Sequence, residues 1–275
     1  MPHNNQKKVA VINDFSGFGR CSIAVSMPIF SAMKMQCCPL PTAIFSNHTG
    51  FDSFFMTDYT DHMAAYMDEW KKLDLKFNAI NTGFLASTEQ IDLCLRFMEM
   101  FKTEDTLAVI DPVMGDYGKL YQTYTEDLAK SMRKLATVAD ILTPNLTEAC
   151  VLADRPYSDN LSENDLLEIC EKLHEMGANK IVISGLDYGD YLGNYVFEAG
   201  KKPLLLTEKR TGPNRSGTGD VYSAIITADA VNGLPFENSV RRASAFVAKA
   251  IARSEEMKIP VTDGIAFEEL LGDLI

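Results

Sequence analysis

The chain has no pair of cysteines at C-x-x-C spacing. Its six cysteines are Cys21, Cys37, Cys38, Cys94, Cys150 and Cys170. That pattern excludes a zinc knuckle or disulfide framework and reads as reduced, buried thiols. Histidine is scarce too: His3, His48, His62 and His174 show no metal-ligand spacing. His48 falls in a strand-end cluster that suits a site, although a lone histidine reads first as structural. Positive charge is in deficit, with 26 Lys+Arg against 38 Asp+Glu and a net charge of -12. Nonspecific nucleic-acid binding and docking to an anionic membrane both need a basic face, so neither is expected. A local phosphate site built from backbone amides is untouched by that argument. No apolar run approaches a membrane span, and no apolar signal core follows the polar N-terminal stretch, so a cytoplasmic location is the expectation. Internal repeats, low-complexity tracts and Pro/Gly-rich linkers are lacking as well.

The 275 residues are 46% hydrophobic and 23% charged, enough for a sizeable core. One large α/β domain or two small ones would fit that length; residues 1–275 are read as one domain. Short apolar runs alternate with amphipathic segments, which reads as βαβ units and a mostly parallel sheet. Strands are expected at Val9–Ile12, at Cys37–Phe45 broken by Pro39 and Pro41, and at Asn78–Asn81, Leu107–Ile110, Asp140–Leu142 and Lys180–Ile183. Helices are expected at Ser22–Met33, Thr60–Leu73, Thr88–Phe101, Thr125–Leu135, Glu163–Met176 and Pro235 to about Arg253. Val113–Tyr124 has no periodicity and reads as a loop. Tyr191–Phe197 and Pro203–Thr207, separated by Gly200, read as an antiparallel hairpin.

Strand after strand ends in a small or polar cluster: Asn13-Asp14, Ser46-Asn47, Thr82-Gly83, Asp111-Pro112, Thr143-Pro144-Asn145 and Ser184-Gly185. Pro, Gly and Asn end strands for their own reasons. The recurrence of carboxylates there (Asp14, Asp111, Glu148) suggests more. In doubly wound sheets ligands bind beyond the carboxyl ends of the strands.

Ser216-Gly217-Thr218-Gly219-Asp220 opens an apolar run compatible with a helix. Glycines let backbone N–H groups turn toward a ligand, and a helix start adds unpaired N–H groups and a positive dipole end. The combination suits a phosphate, with Asp220 placed to take a proton from whatever attacks it. It also fits a plain turn with Asp220 as N-cap. Two other glycine motifs fail. Gly17-Phe18-Gly19-Arg20-Cys21-Ser22 ends in serine where the dinucleotide fingerprint has glycine, and Gly212–Gly217 is followed by Thr218 rather than the lysine of a P-loop.

Gly217-Thr218-Gly219-Asp220 resembles the signature of the ribokinase-like superfamily. Phe45–Gly50, Asp111–Tyr121 and Thr143–Glu148 narrow the likeness to pyridoxal kinases, which phosphorylate the 5′-hydroxymethyl group of B6 vitamers. The resemblance runs from Val9 to about Arg253. It implies a ribokinase-like α/β fold, with helices on both faces of a mostly parallel central sheet and a small antiparallel edge hairpin. It also implies ATP as co-substrate, Mg2+, a B6 vitamer (pyridoxal, pyridoxine or pyridoxamine) as acceptor, and a homodimer; a monovalent cation stays open. By the same resemblance Asp220 is the base, and the amides of Gly217, Thr218 and Gly219 hold the transferring phosphoryl group. Asp111 and Glu148 position magnesium, largely through water. Thr143, Asn145 and Ser184 approach the ATP phosphates, and the loop Gly115–Tyr124, with Tyr117, closes over the nucleotide. Asp14, Ser16, Asn47 and Thr49 meet the polar edge of the pyridine, while Gly83 and Phe84 bound its face, Phe84 standing where relatives often carry tyrosine. The first loop, with Asp14 and Ser16, departs from the best-known pyridoxal kinases.

Two rivals stand beside this reading. Hydroxymethylpyrimidine kinases share the Asp-Pro-Val-Met and Thr-Pro-Asn-Leu stretches, but usually carry cysteine where Asp220 stands. A non-catalytic nucleotide-binding regulator on the same fold is the other, and the presence of the base and both carboxylates speaks against it.

Overall fold

A computed structural model describes residues 5–275, so His3 lies outside the described residues. In chain order the elements are β1 (Lys8–Ser16), α1 (Ile23–Ala32), β2 (Gln36–Phe45), β3 (Met56–Asp58), α2 (Thr60–Lys72), β4 (Ala79–Thr82), α3 (Thr88–Phe101), β5 (Leu107–Ile110), β6 (Gly115–Asp116) and β7 (Lys119–Leu120). There follow α4 (Glu126–Ser131), α5 (Arg133–Ala136), β8 (Ile141–Leu142), α6 (Leu146–Leu152), α7 (Glu163–Met176), β9 (Lys180–Asp187), β10 (Tyr191–Glu198), β11 (Leu204–Lys209), α8 (Thr218–Val231) and α9 (Phe236–Glu256). Two 3₁₀ turns, Val261–Asp263 and Glu268–Leu274, close the chain.

Nine strands form one sheet in the order β11-β10-β9-β8-β5-β4-β1-β2-β3. The six from β9 to β2 are mutually parallel. Both faces are covered, which is why the inner strands are apolar throughout. On β1, Val9 and Val11 pack with α1, α8 and α9, whereas Ala10 and Ile12 pack with residues of α2 to α7. The chain leaves β1 for β2 on one side and returns to β4 on the other. That divergence opens a crevice beyond the carboxyl ends of β1 and β4.

The expected edge hairpin is present as β10 and β11, antiparallel to each other and to β9. A second antiparallel pair was not anticipated: β3 covers Ala43–Phe45 at the opposite edge. Pro39 and Pro41 do not break β2. They lie beyond the stretch that β3 covers, and the Pro39 carbonyl accepts the Tyr66 hydroxyl instead of a strand partner. Two further differences concern short elements. Val113–Tyr124 contains the β6–β7 hairpin, too short to leave a periodic signal. The helix expected over Thr125–Leu135 divides at Met132, where the Ser131 hydroxyl bonds back to the Asp127 carbonyl at 2.8 Å, a contact that bends helices.

Candidate active site

The amide cradle starts at Gly217, the cap of α8. Its φ of 79° lies in the left-handed region, and a Cβ there would sit 1.9 Å from the Arg20 carbonyl oxygen. Glycine is therefore required on both backbone and steric grounds. The loop packed against it is itself strained: Arg20 and Ser22 adopt φ of 42° and 57°. At Gly219 the protein leaves open space, the nearest atom to a Cβ being an Asp111 carboxylate oxygen at 3.9 Å. The first-turn amides of α8 have no intrahelical partners and so remain available to an anion.

Asp220 is half-buried on that turn and accepts a hydrogen bond from Asn13 Nδ2 at 3.0 Å. Burial raises its pKa, and the Ser22 amide and Asn13 pull it partly back. Beside it Asp14, 5% exposed, accepts from Ser22 Oγ at 2.5 Å and Ser16 Oγ at 2.9 Å. Burial carries the Asp14 pKa to about 6 against the pull of the Ser22 hydroxyl, and the Asp220 charge adds to the rise.

Asp111 follows β5, and Glu148 occupies the first turn of α6. Glu148 completes a capping box: Oε2 accepts from the Asn145 amide at 2.8 Å, and Asn145 Oδ1 accepts from the Glu148 amide at 3.0 Å. Its other oxygen takes the Met114 amide at 3.0 Å, while Asn145 Nδ2 donates to the Gly115 carbonyl at 2.7 Å. The base of the β6–β7 hairpin is thus tied to the start of α6. Asp111 is pushed well above the carboxylate range by burial, then by the charges of Glu148 and Asp220. Glu148 is raised chiefly by burial as well. The hydroxyls of Thr82 and Thr143, both buried, have no partner among the described residues.

A cation would relieve this repulsion, and an all-oxygen donor set suits magnesium. Among the described residues no three His, Cys, Asp or Glu side chains converge on one ion. Asp111 and Glu148 would supply two carboxylates, and magnesium commonly binds through one or two carboxylates together with water and phosphate oxygens.

These groups face one cavity of about 650 Å³. Of the residues expected in the site, Asp14, Ser16, Thr49, Phe84, Asp111, Thr143, Asn145, Glu148, Ser184 and Gly217–Asp220 line it. Asn47, Gly83 and Tyr117 do not. Asn47 is spent inside its own loop, donating to the Ser53 carbonyl at 2.8 Å and accepting from Ser46 Oγ at 2.7 Å. Gly83 lies behind the wall, against Asn13. Tyr117 stands exposed at the tip of the β6–β7 hairpin, its hydroxyl bonded to Asn214. Phe84 makes edge-on contacts with Phe45 and Tyr124 at 5.8 and 6.0 Å between ring centroids.

Several lining residues had no role assigned from the sequence: Ser22, Tyr121, and Val247, Ala248 and Ile251 of α9, while Asn13 stood out only as part of a strand-end cluster. The α9 residues belong to an amphipathic pattern that reads as core. Nothing in their spacing separates a cavity wall from packing. His48 also lines the cavity, with Nε2 2.7 Å from the Thr262 carbonyl and Nδ1 accepting the Gly50 amide at 3.0 Å.

Comparison with known proteins gives the family and the fold. A candidate phosphomethylpyrimidine kinase from Bacteroides thetaiotaomicron has a similar structure, with a TM-score of 0.97, 36% identity, and coverage of 100% of this chain and 96% of that one. A second crystal form of that protein contains pyridoxal and aligns with a TM-score of 0.95. Pyridoxal kinase from Arabidopsis thaliana is 31% identical over 68% of this chain. The thiamine biosynthetic bifunctional enzyme TH1 of the same plant is 26% identical over 91%. The matched stretches span 62% and 47% of those two relatives. The fold is ribokinase-like, as in the pyridoxal kinase of Lactobacillus plantarum, which aligns with a TM-score of 0.90 at 26% identity. The family model for phosphomethylpyrimidine kinase matches residues 25–263, and the chain belongs to that family.

Proposed function

We propose that this protein transfers the terminal phosphoryl group of ATP to the 5′-hydroxymethyl group of a B6 vitamer: pyridoxal, pyridoxine or pyridoxamine. One observation carries the reading. Asp220 stands on the first turn of α8, beside that turn's free amides and within the field of Asp111, and all of them face one cavity. Phosphoryl transfer calls for an anion cradle, a charge-neutralising cation, a base for the acceptor and exclusion of water. In this reading Asp220 takes the proton of the alcohol. Its raised pKa makes it a stronger base than an exposed aspartate. The amides of Gly217, Thr218 and Gly219 hold the transferring group. Asp111 and Glu148 hold magnesium, largely through water, and the ion supplies charge neutralisation to the phosphates. Thr143, Asn145 and Ser184 face the phosphates. Asp14, Ser16, Thr49 and Phe84 enclose the acceptor ring. The same reading takes residues 1–275 as one kinase domain acting as a cytoplasmic homodimer; no helix among the described residues is long and apolar enough to cross a membrane.

Two features favour a B6 vitamer: Asp220 in place of the cysteine usual in hydroxymethylpyrimidine kinases, and the pyridoxal found with the Bacteroides protein. The likeness to TH1 over 91% of the chain supports a hydroxymethylpyrimidine, or its phosphate, as the second reading. Turnover of ATP with pyridoxal, pyridoxine, pyridoxamine and hydroxymethylpyrimidine, with the product identified by mass, decides between them. We expect kcat/KM for a B6 vitamer to lead by at least about tenfold, or about 1.4 kcal/mol in transition-state binding. The reverse ratio transfers the assignment to the second reading. ATP binding without phosphorylation of any alcohol would leave a regulator.

A further inference from the structure

We infer that Asn13 is a positioning residue for Asp220, and that position 83 is glycine to make room for it. The inference rests on the reading of Asp220 as base. Asn13 ends the apolar run of β1 at the β1–β4 divergence and is 2% exposed. Its Oδ1 accepts the Asp14 amide at 2.9 Å and the Phe84 amide at 2.8 Å. An amide oxygen accepts and an NH₂ group only donates, so these two backbone donors decide which way the side chain faces. Nδ2 is then directed at Asp220 Oδ1, 3.0 Å away on α8. The side chain joins β1, the turn after β4 and the start of α8.

The two backbone amides alone do not ask for asparagine here. Aspartate has the same shape and would accept both of them, but it would set a second carboxylate against Asp220 Oδ1. What asparagine adds is a donor, and that donor goes to Asp220.

Gly83 supplies the room. Its amide donates to the Ile12 carbonyl at 2.9 Å, which draws the turn against β1. A Cβ at position 83 would lie 2.3 Å from Asn13 Nδ2, 2.4 Å from Cγ and 2.6 Å from Oδ1. All three terminal atoms of the amide stand in its way, and Asn13 is too buried to swing aside. Gly83 is not among the residues with positive φ, so the left-handed region is not what calls for glycine there. The crowding against Asn13 is what excludes a side chain.

The test is a double-mutant cycle with Asn13→Asp and Gly83→Ala, measured on the acceptor that wild type turns over best. Asn13→Asp keeps both backbone bonds but sets a carboxylate where the donor to Asp220 was, so the pH profile of kcat should move to higher pH while KM for ATP stays near wild type. Displacing a catalytic group by a fraction of an ångström to 1 Å costs up to about a hundredfold. We therefore expect kcat to fall roughly 10- to 100-fold in each single variant. Both act on one contact, so the double variant should be no worse than about twofold below the weaker single. A crystal structure of Gly83→Ala should show Nδ2 turned away from Asp220. Unchanged kcat in Asn13→Asp, or multiplicative losses in the double variant, would overturn the inference. An alanine at 83 accommodated with the Asn13–Asp220 bond intact would overturn the role given to Gly83. A wild-type protein that phosphorylates no alcohol defeats the functional reading instead, and the Gly83→Ala structure then still decides whether glycine seats the amide.

Discussion

Arg215 Nη2 lies 2.5 Å from Glu255 Oε1, with the arginine side chain 2% exposed, two residues ahead of the glycine that caps α8. The same guanidinium donates to the carbonyls of Pro260, Gly264 and Ile259. The Arg215 carbonyl in turn accepts the Thr218 hydroxyl at 3.1 Å. One buried cation therefore ties the segment after α9 to the amide cradle. Removing it leaves a carboxylate and three carbonyls without their donor.

Arg215→Met should accordingly cost about 3 kcal/mol of stability, read from urea denaturation. A loss below about 1 kcal/mol would mean that water replaces the clamp.

Asp220→Asn retains the shape and removes the base. We expect kcat to fall about 10³- to 10⁴-fold with the KM for ATP changed little. Steady-state kinetics at saturating magnesium provide the check, and near-normal turnover would take Asp220 out of the role.

Asp14 sets a pH dependence whose sign follows from its raised pKa. Below 3.8 both the folded and unfolded states hold the proton. As pH rises, the unfolded chain ionises first, so stability contributed by this group declines until the folded state ionises near 6. The decline amounts to about 3 kcal/mol. Asp14→Asn should therefore gain on wild type by up to that amount between pH 4 and pH 7 in parallel urea titrations. Stability curves that stay parallel would contradict the buried, protonated state.

Glu148→Gln should leave the fold standing, because the amide oxygen can still accept one of the backbone donors. It should weaken magnesium. We expect the magnesium concentration for half-maximal turnover to rise about tenfold, within the range seen when groups around a metal are altered. An unchanged magnesium curve would assign Glu148 to capping alone.

Much of the fold was legible from periodicity. Glu163–Met176 forms a helix over the very residues expected, and the hairpin at the sheet edge is where its glycine and alternating residues put it. Pattern misled at β2, because proline's effect depends on which edge its missing N–H faces, and that is a property of the sheet. The β6–β7 hairpin was invisible because two-residue strands carry no period. In the site, the charged and glycine-rich positions stood out, since burying a carboxylate or fixing a helix start restricts the choice of residue. Asn47 and Tyr117 sat in suggestive stretches, yet local hydrogen bonds turn one inward and the hairpin tip carries the other out.

The amino-acid order by itself determined the alternation of strand and helix, the carboxylates at the strand ends and the glycine-led start of α8. Those features are local, and local chemistry leaves a mark over a few residues. Tertiary structure alone decided that Asn13 meets Asp220 across 207 residues, that Gly83 is a matter of space, and that α9 walls the cavity. Each depends on how the parallel sheet is wound, with β1 and β4 side by side and α8 laid against them, and a contact made by winding has no period to read.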